Sequence, residues 1–176
     1  MLLRKTNAVI SLVITAFLMN HAINMAAWML SKGEIAQQAS VFPWILFFLM
    51  LAHVFIIIDN IVSGISDGKH KNCKNYPQLN RTMLLQRISG VLMVVFTGLH
   101  IAGATGVMQP PQIVHAIVPP LFFALCMVHV AFSVSKAFVT LGIGNAKFVK
   151  AVDIAVKAIC IVTLIADITG FYLYVV

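Results

Sequence analysis

Four histidines sit inside long apolar runs of this chain: His21, His53, His100 and His129. An ionisable ring in a membrane-length segment is costly to bury and marks a functional site by default. The setting is clearest from Gln86 to Gly106, QRISGVLMVVFTGLHIAGATG. A polar start (Gln86, Arg87, Ser89) leads into an apolar run, and His100 lies deep within it between Gly98 and Gly103. Two imidazoles on different helices at one depth can supply both axial nitrogens of a haem iron, with the planar macrocycle slotted between the helices. Gly98, Ala102 and Gly103 near His100, and Ala52 beside His53, are small enough to let a porphyrin approach. The plainer reading of the same residues is core histidines bonded to a neighbouring helix, with small residues for ordinary helix packing.

The elements that must position these rings follow from composition. The chain has 176 residues, 61% hydrophobic and only 10% charged, whereas a soluble domain is nearer half apolar and a quarter charged. Five runs are long enough to cross a bilayer as helices, at about 7–30, 42–64, 87–107, 113–139 and 150–174. The expected fold is an all-α integral membrane protein, a single transmembrane domain of five helices. The first four would form the histidine-bearing bundle. The N-terminus has the basic start and apolar core of a signal peptide. Its run is longer than a signal core and holds Asn20, His21 and Asn24, so it is read as a retained first helix. Residues 65–86 are expected to be a polar loop. With so little soluble mass, any chemistry needs a cofactor between helices or a partner subunit.

Lysine and arginine placement sets the orientation. With the N-terminus in the cytoplasm, Arg4, Lys5, Lys69, Lys71, Lys74, Arg81, Arg87, Lys136, Lys147, Lys150 and Lys157 share the cytoplasmic side, against Lys32 alone outside. The C-terminus is then outside, and Trp28, Trp44, Tyr172 and Tyr174 form an outer aromatic belt. The net charge of +7 thus marks topology and not a nucleic-acid surface. Lys157 is spaced to pair with Asp153 at i, i+4.

Depth sorts the histidines. His21 and His100 lie roughly 20 Å from the cytoplasmic ends of their helices, His53 roughly 15 Å and His129 roughly 10–15 Å. That gives an outer pair (His21, His100) and an inner pair (His53, His129). Helices one and two, and helices three and four, each carry one histidine apiece, a weak repeat of plan without residue identity. Two well-separated pairs would leave zinc short of ligands. Cys126 and Cys160 read as core packing, and Cys73 beside His70 as a loop thiol with too few ligands for a metal. Pro119 and Pro120 are expected to kink helix four.

Haem propionates need cationic or hydrogen-bonding partners near the interface. Arg81, Arg87, Ser89 and Lys136 are the inner candidates, and Lys32, Asn24 and Trp28 the outer ones. A quinone headgroup needs a polar pocket at the end of an apolar cleft; Asn24, Trp28, Glu34, His115 and Asp167 are the outer candidates. Asp167 in helix five is deep enough to be either a proton relay or a structural hydrogen-bonding group, and Asp59 is read as structural.

Five helices, one histidine in each of the first four, N-terminus inside and C-terminus outside resemble the di-haem cytochrome b membrane anchor of succinate:quinone oxidoreductases and quinol:fumarate reductases, the complex II family. QRISG also resembles the Arg-x-Ser-Gly segment that precedes a haem-bearing helix in complex II anchors. The resemblance covers nearly the whole chain. It implies two haem b groups, one on His53 and His129 near the cytoplasmic partner and one on His21 and His100 near the outer face. It implies a flavoprotein with covalent FAD and an iron–sulfur subunit docked on the basic cytoplasmic face, and a location in the cell inner membrane among lipid. Electrons would pass between succinate or fumarate and a membrane quinone, menaquinone being the expected one. The dicarboxylate chemistry would belong to the partners, and complexes could pair as dimers or trimers. Two features depart from the family: the loops are short, and Cys126, Met127 and Val128 stand where some fumarate reductases carry a buried glutamate before the helix-four ligand. Two other readings remain open: a cytochrome b of hydrogenase or formate dehydrogenase type, and a haem-free anchor or transporter whose histidines pack or relay protons.

Overall fold

The computed structural model describes residues 2–34, 41–66, 77–107 and 112–175, with side chains for all of these except 41–43, 60–66, 77–81, 104, 112–115 and 175. They form helices α1 (Leu2–Leu30), α2 (Val41–Ser66), α3 (Pro77–Ala104), α4 (Gln112–Leu141) and α5 (Ala146–Val175), with no strand among the described residues. Helices α2 and α4 match the apolar runs to within two residues at each end. Helix α1 begins five residues before the expected start, and α5 four.

The largest difference is at α3, which begins at Pro77 and ends at Ala104 where 87–107 was expected. The expectation followed the apolar run, but a helix continues into polar sequence until something stops it. Proline is well placed as a first helical residue, because its missing N–H would be unpaired there anyway. No glycine or further proline follows until Gly90. Ten residues read as loop are therefore helix, and the helix carries its polar first turns toward the site. The remaining loop, 67–76 with His70 and Cys73, lies outside the described residues.

Helices α1 and α4 end in the same way. The N–H of Gly33 bonds the Trp28 carbonyl at 2.9 Å and that of Lys32 bonds Met29 at 3.1 Å, with Lys32 left-handed at φ 53°. At α4, Ile143 bonds Phe138 and Gly142 bonds Val139, each at 3.1 Å, with Gly142 at φ 73°. This pair of bonds closes the last carbonyls of a helix on a left-handed residue. Asn145 then caps α5 by accepting from the Phe148 N–H at 2.9 Å, the usual role of an asparagine at that place. Helix α4 runs unbroken through Pro119 and Pro120.

Helix α1 packs on α2, α4 and α5, and α4 packs on α1, α3 and α5, so α1 and α4 form the centre and α2 and α3 the flanks. The core runs through Ile14, Leu18, Leu46, Met93, Cys126, Met127, Val130, Val134 and Cys160; the two cysteines are packing residues, as expected. The Trp28 and Tyr174 rings lie 4.5 Å apart, which sets the C-terminal ends of α1 and α5 side by side and the two helices parallel. Lys157 and Asp153 form the expected i, i+4 pair, and Asp153 also accepts from Ser135 at 3.0 Å.

The outer surface is apolar. Phe55 is 69% exposed, and Val91 and Val162 each 67%. A soluble monomer does not display such a surface on every side. The segments Leu2–Leu30, Thr82–Gly103 and Ala116–Leu141 are each long and apolar enough to cross a bilayer, and Trp44–Asp59 is a shorter apolar stretch. The chain is a membrane protein.

Where α1 and α5 meet, a Cβ added at Gly170 would lie 3.1 Å from the Met29 Cβ and 3.4 Å from the Ala26 carbonyl oxygen. Overpacking of this kind costs about 1–3 kcal/mol. Gly170→Val is therefore expected to lower the thermal midpoint of the detergent-solubilised protein. Gly98→Ala, with nothing within 4 Å of the new carbon, is expected not to lower it.

Candidate functional site

The first turns of α3 deliver the groups that hold His129. Its Nδ1 is 3.1 Å from the Gln86 backbone carbonyl oxygen and 3.1 Å from the Ser89 hydroxyl. A carbonyl oxygen can only accept, so Nδ1 carries the hydrogen and the lone pair is on Nε2. The Ser89 hydroxyl donates to the same Gln86 carbonyl at 3.1 Å, which leaves its oxygen free to accept from Nδ1–H as well. A histidine that donates Nδ1–H to a backbone carbonyl has its ring orientation and tautomer fixed for metal ligation through Nε2.

Gly90 completes the cradle. A Cβ there would sit 3.0 Å from the His129 Cε1 and 3.4 Å from Nδ1, so only glycine lets the ring lie this close to α3. Gln86 is tied down in turn. Its side-chain amide donates to the Ser133 hydroxyl at 3.0 Å and accepts from the Lys136 ammonium at 2.8 Å. Ser133 and Lys136 lie one and two turns beyond His129 on α4. The segment QRISG thus supplies a carbonyl, a hydroxyl and a missing side chain to one imidazole.

The other three rings sit in different settings. His53 is half-buried, and its Nδ1 is buried without a hydrogen-bond partner. His53 lies near His129, and His21 near His100. Helices α1 and α3, and α2 and α4, do not pack closely on each other among the described residues. Each histidine pair therefore bridges two helices that stand apart. His100 is exposed, with its ring 5.4 Å from that of Phe122; Phe122 in turn stacks on Phe96 at 6.4 Å and 9°. Neither Gly98 nor Gly103 has any atom within 4 Å of an added Cβ, so these glycines do not serve helix packing here.

These features suit a bis-histidine haem site. The inner pair offers one ring with a fixed donor tautomer and one buried, unpartnered nitrogen. Among the described residues no three His, Cys, Asp or Glu side chains converge on a metal position.

The expected subsidiary residues divide. Lys136 is half-buried at the α3–α4 seam and Arg87 is exposed beside it. Ser89, 3% exposed, serves the His129 ring and not the interface. Arg81 and His115 lie on α3 and α4, with side chains outside the described residues. Trp28 lies tilted against Tyr174, Glu34 is exposed just past the end of α1, and Asn24 donates to the Asn20 carbonyl at 2.8 Å. Asp167 differs from these in burial: it is 1% exposed, on α5, which packs on α1 and α4. The roles of Gln86, Gly90 and Ser133 at His129 are absent from the sequence reading. Their signal is the i, i+3, i+4 spacing of Gln86, Ser89 and Gly90, which puts all three on one face of a helix once α3 is known to start before them.

If Gly90 and His129 share one space, their substitutions will not add. Gly90→Val alone is expected to destabilise by about 1–3 kcal/mol. In a His129→Ala background the same change is expected to cost much less, as read by denaturation in detergent.

No protein-family model, characterised protein or solved structure matches this chain.

Proposed function

We propose that this chain is the membrane anchor and di-haem b electron relay of a complex II enzyme, a succinate dehydrogenase or fumarate reductase. It passes electrons between flavoprotein (FAD) and iron–sulfur subunits on its cytoplasmic side and a membrane quinone. The observation that carries the reading is His129, whose Nδ1 is held by the Gln86 carbonyl and Ser89 so that Nε2 presents its lone pair. The neighbouring histidine pairs, His53 with His129 and His21 with His100, support two such sites.

In this reading all five helices cross the membrane, with the N-terminus in the cytoplasm and the C-terminus outside. His53 and His129 would hold the inner haem, and His21 and His100 the outer one; bound there, haem supplies one-electron chemistry. The chain's own residues do the rest. The Gln86 carbonyl keeps the His129 ring in one tautomer and adds basicity to its Nε2. Gly90 lets the ring seat against α3, and Phe122 lies against the His100 ring. Lys136 and Arg87 place positive charge at the cytoplasmic end of the α3–α4 seam, where inner haem propionates would lie. Asn24, Trp28 and Glu34, near the outer end of α1, are the polar groups nearest the water on that side for a quinone such as menaquinone. The basic cytoplasmic edge, Lys147 and Lys150 included, would receive the iron–sulfur subunit.

The deciding measurement is a dithionite-reduced minus oxidised spectrum with a pyridine haemochrome titration, normalised to chain. Two b-type haems per chain are expected. His53→Ala and His129→Ala are each expected to lose one haem, and His21→Ala and His100→Ala the other. A colourless protein reconstituted with excess haemin would overturn the relay and leave an anchor or transporter.

A further inference from the structure

Asp167 is the one fully buried large side chain among the described residues. Both of its carboxyl oxygens are buried with no hydrogen-bond partner. It lies on α5 where that helix packs on α1 and α4. One turn further on, Gly170 brings α5 against Ala26 and Met29 of α1. From α4 the facing titratable group is the Cys126 thiol, itself buried. From α1, Ala26 and Met29 face Gly170; with the two helices parallel, the stretch level with Asp167 is one turn earlier, near Ala22 to Ala26, and His21 is the ionisable residue beside it. Along α5 the neighbours are Cys160 two turns inward and Tyr172 outward; Lys157 is farther in and is engaged by Asp153. Among the described residues no cation pairs with the carboxyl.

A carboxylate in such a place has neither donor nor counter-charge, and an unpaired buried charge is far costlier than an unpaired neutral group. Even the neutral acid forgoes about 1–3 kcal/mol of hydrogen bonding. Packing alone gives no account of an aspartate where leucine or asparagine would serve.

We propose that Asp167 is a proton-binding site inside the membrane, and that its proton is exchanged in step with the redox state of the histidine-bound haems. The second half rests on the haem reading above. Cys126 lies one turn from His129 on α4, so the carboxyl backs onto a haem-bearing helix. Charges in hydrocarbon act over long distances because little screens them. A ferric bis-histidine haem would carry one net positive charge on the helices α1 and α4 that pack against α5. Oxidation favours the carboxylate and releases a proton; reduction removes that charge and the carboxylate takes a proton back. One electron in and one proton in leave the buried charge unchanged.

Infrared spectroscopy and redox titration of the protein in lipid nanodiscs test both halves. The reduced wild type is expected to show a protonated-carboxyl C=O band at neutral pH that shifts in D2O and is missing in Asp167→Asn. An identical band in Asp167→Asn would overturn the proton site. The midpoint of one haem is expected to fall with rising pH in the wild type and to lose that slope in Asp167→Asn, with haem content unchanged. Equal slopes would overturn the redox link. If Asp167→Asn does not fold, wild type grown with carboxyl-labelled aspartate gives the same answer: the isotope shift must appear in the reduced-minus-oxidised difference spectrum, and its absence would overturn the link. A protein that shows the band but takes up no haem would refute the haem reading while leaving the proton site standing.

Discussion

The hydrogen bond from His129 to the Gln86 carbonyl is the contact on which the site depends. It joins the centre of the bundle to a flank, since α3 packs on α4. It also fixes the orientation of the imidazole, which is then no free rotor. A ring with two or three staggered positions and two nitrogens could present many faces to the space between helices. Ser89, Gly90, Ser133 and Lys136 all act through this contact, by sharing the carbonyl, clearing room for the ring or fixing the Gln86 side chain. The bond is possible because α3 is already helical at Gln86, which puts Gln86, Ser89 and Gly90 on one face.

The bundle is built inside out relative to a soluble protein. Its most exposed side chains include Phe48, Phe55 and Val91, while its buried set contains Ser89, Thr163 and Asp167. With lipid outside, apolar burial gives little drive for helices to associate, and small residues and polar contacts take over. Gly170 at the α1–α5 contact and the Gln86 network at the α3–α4 contact are the two forms this takes here. They lie in different places and use different physics: one is close approach, the other hydrogen bonding.

Much of this was legible in the sequence, and the rest was hidden for physical reasons. Apolar length located all five helices, and the charge pattern gave the Lys157–Asp153 pair from spacing alone. The start of α3 was misread because hydrophobicity reports where lipid begins and not where a helix begins; Pro77 was the available signal. The Gln86 carbonyl could not be found from residue type, since every residue has one and only the fold says which carbonyl meets a ring. Asp167 was recognisable as too deep for its charge, but its complete burial depends on which way α5 is turned. His70, Cys73 and the side chains of Arg81 and His115 lie outside the described residues.

The central place of α1 has a consequence for synthesis. Helix α1 leaves the ribosome first, yet two of its three packing partners, α4 and α5, leave last. Until they arrive, α1 has only α2 to pack against. A helix can be stable in lipid before it finds its neighbours, so the chain can wait. Its order of assembly is then set by the last hairpin, and a chain interrupted after α3 would hold three of the four histidines and lack the α4 and α5 side of its core.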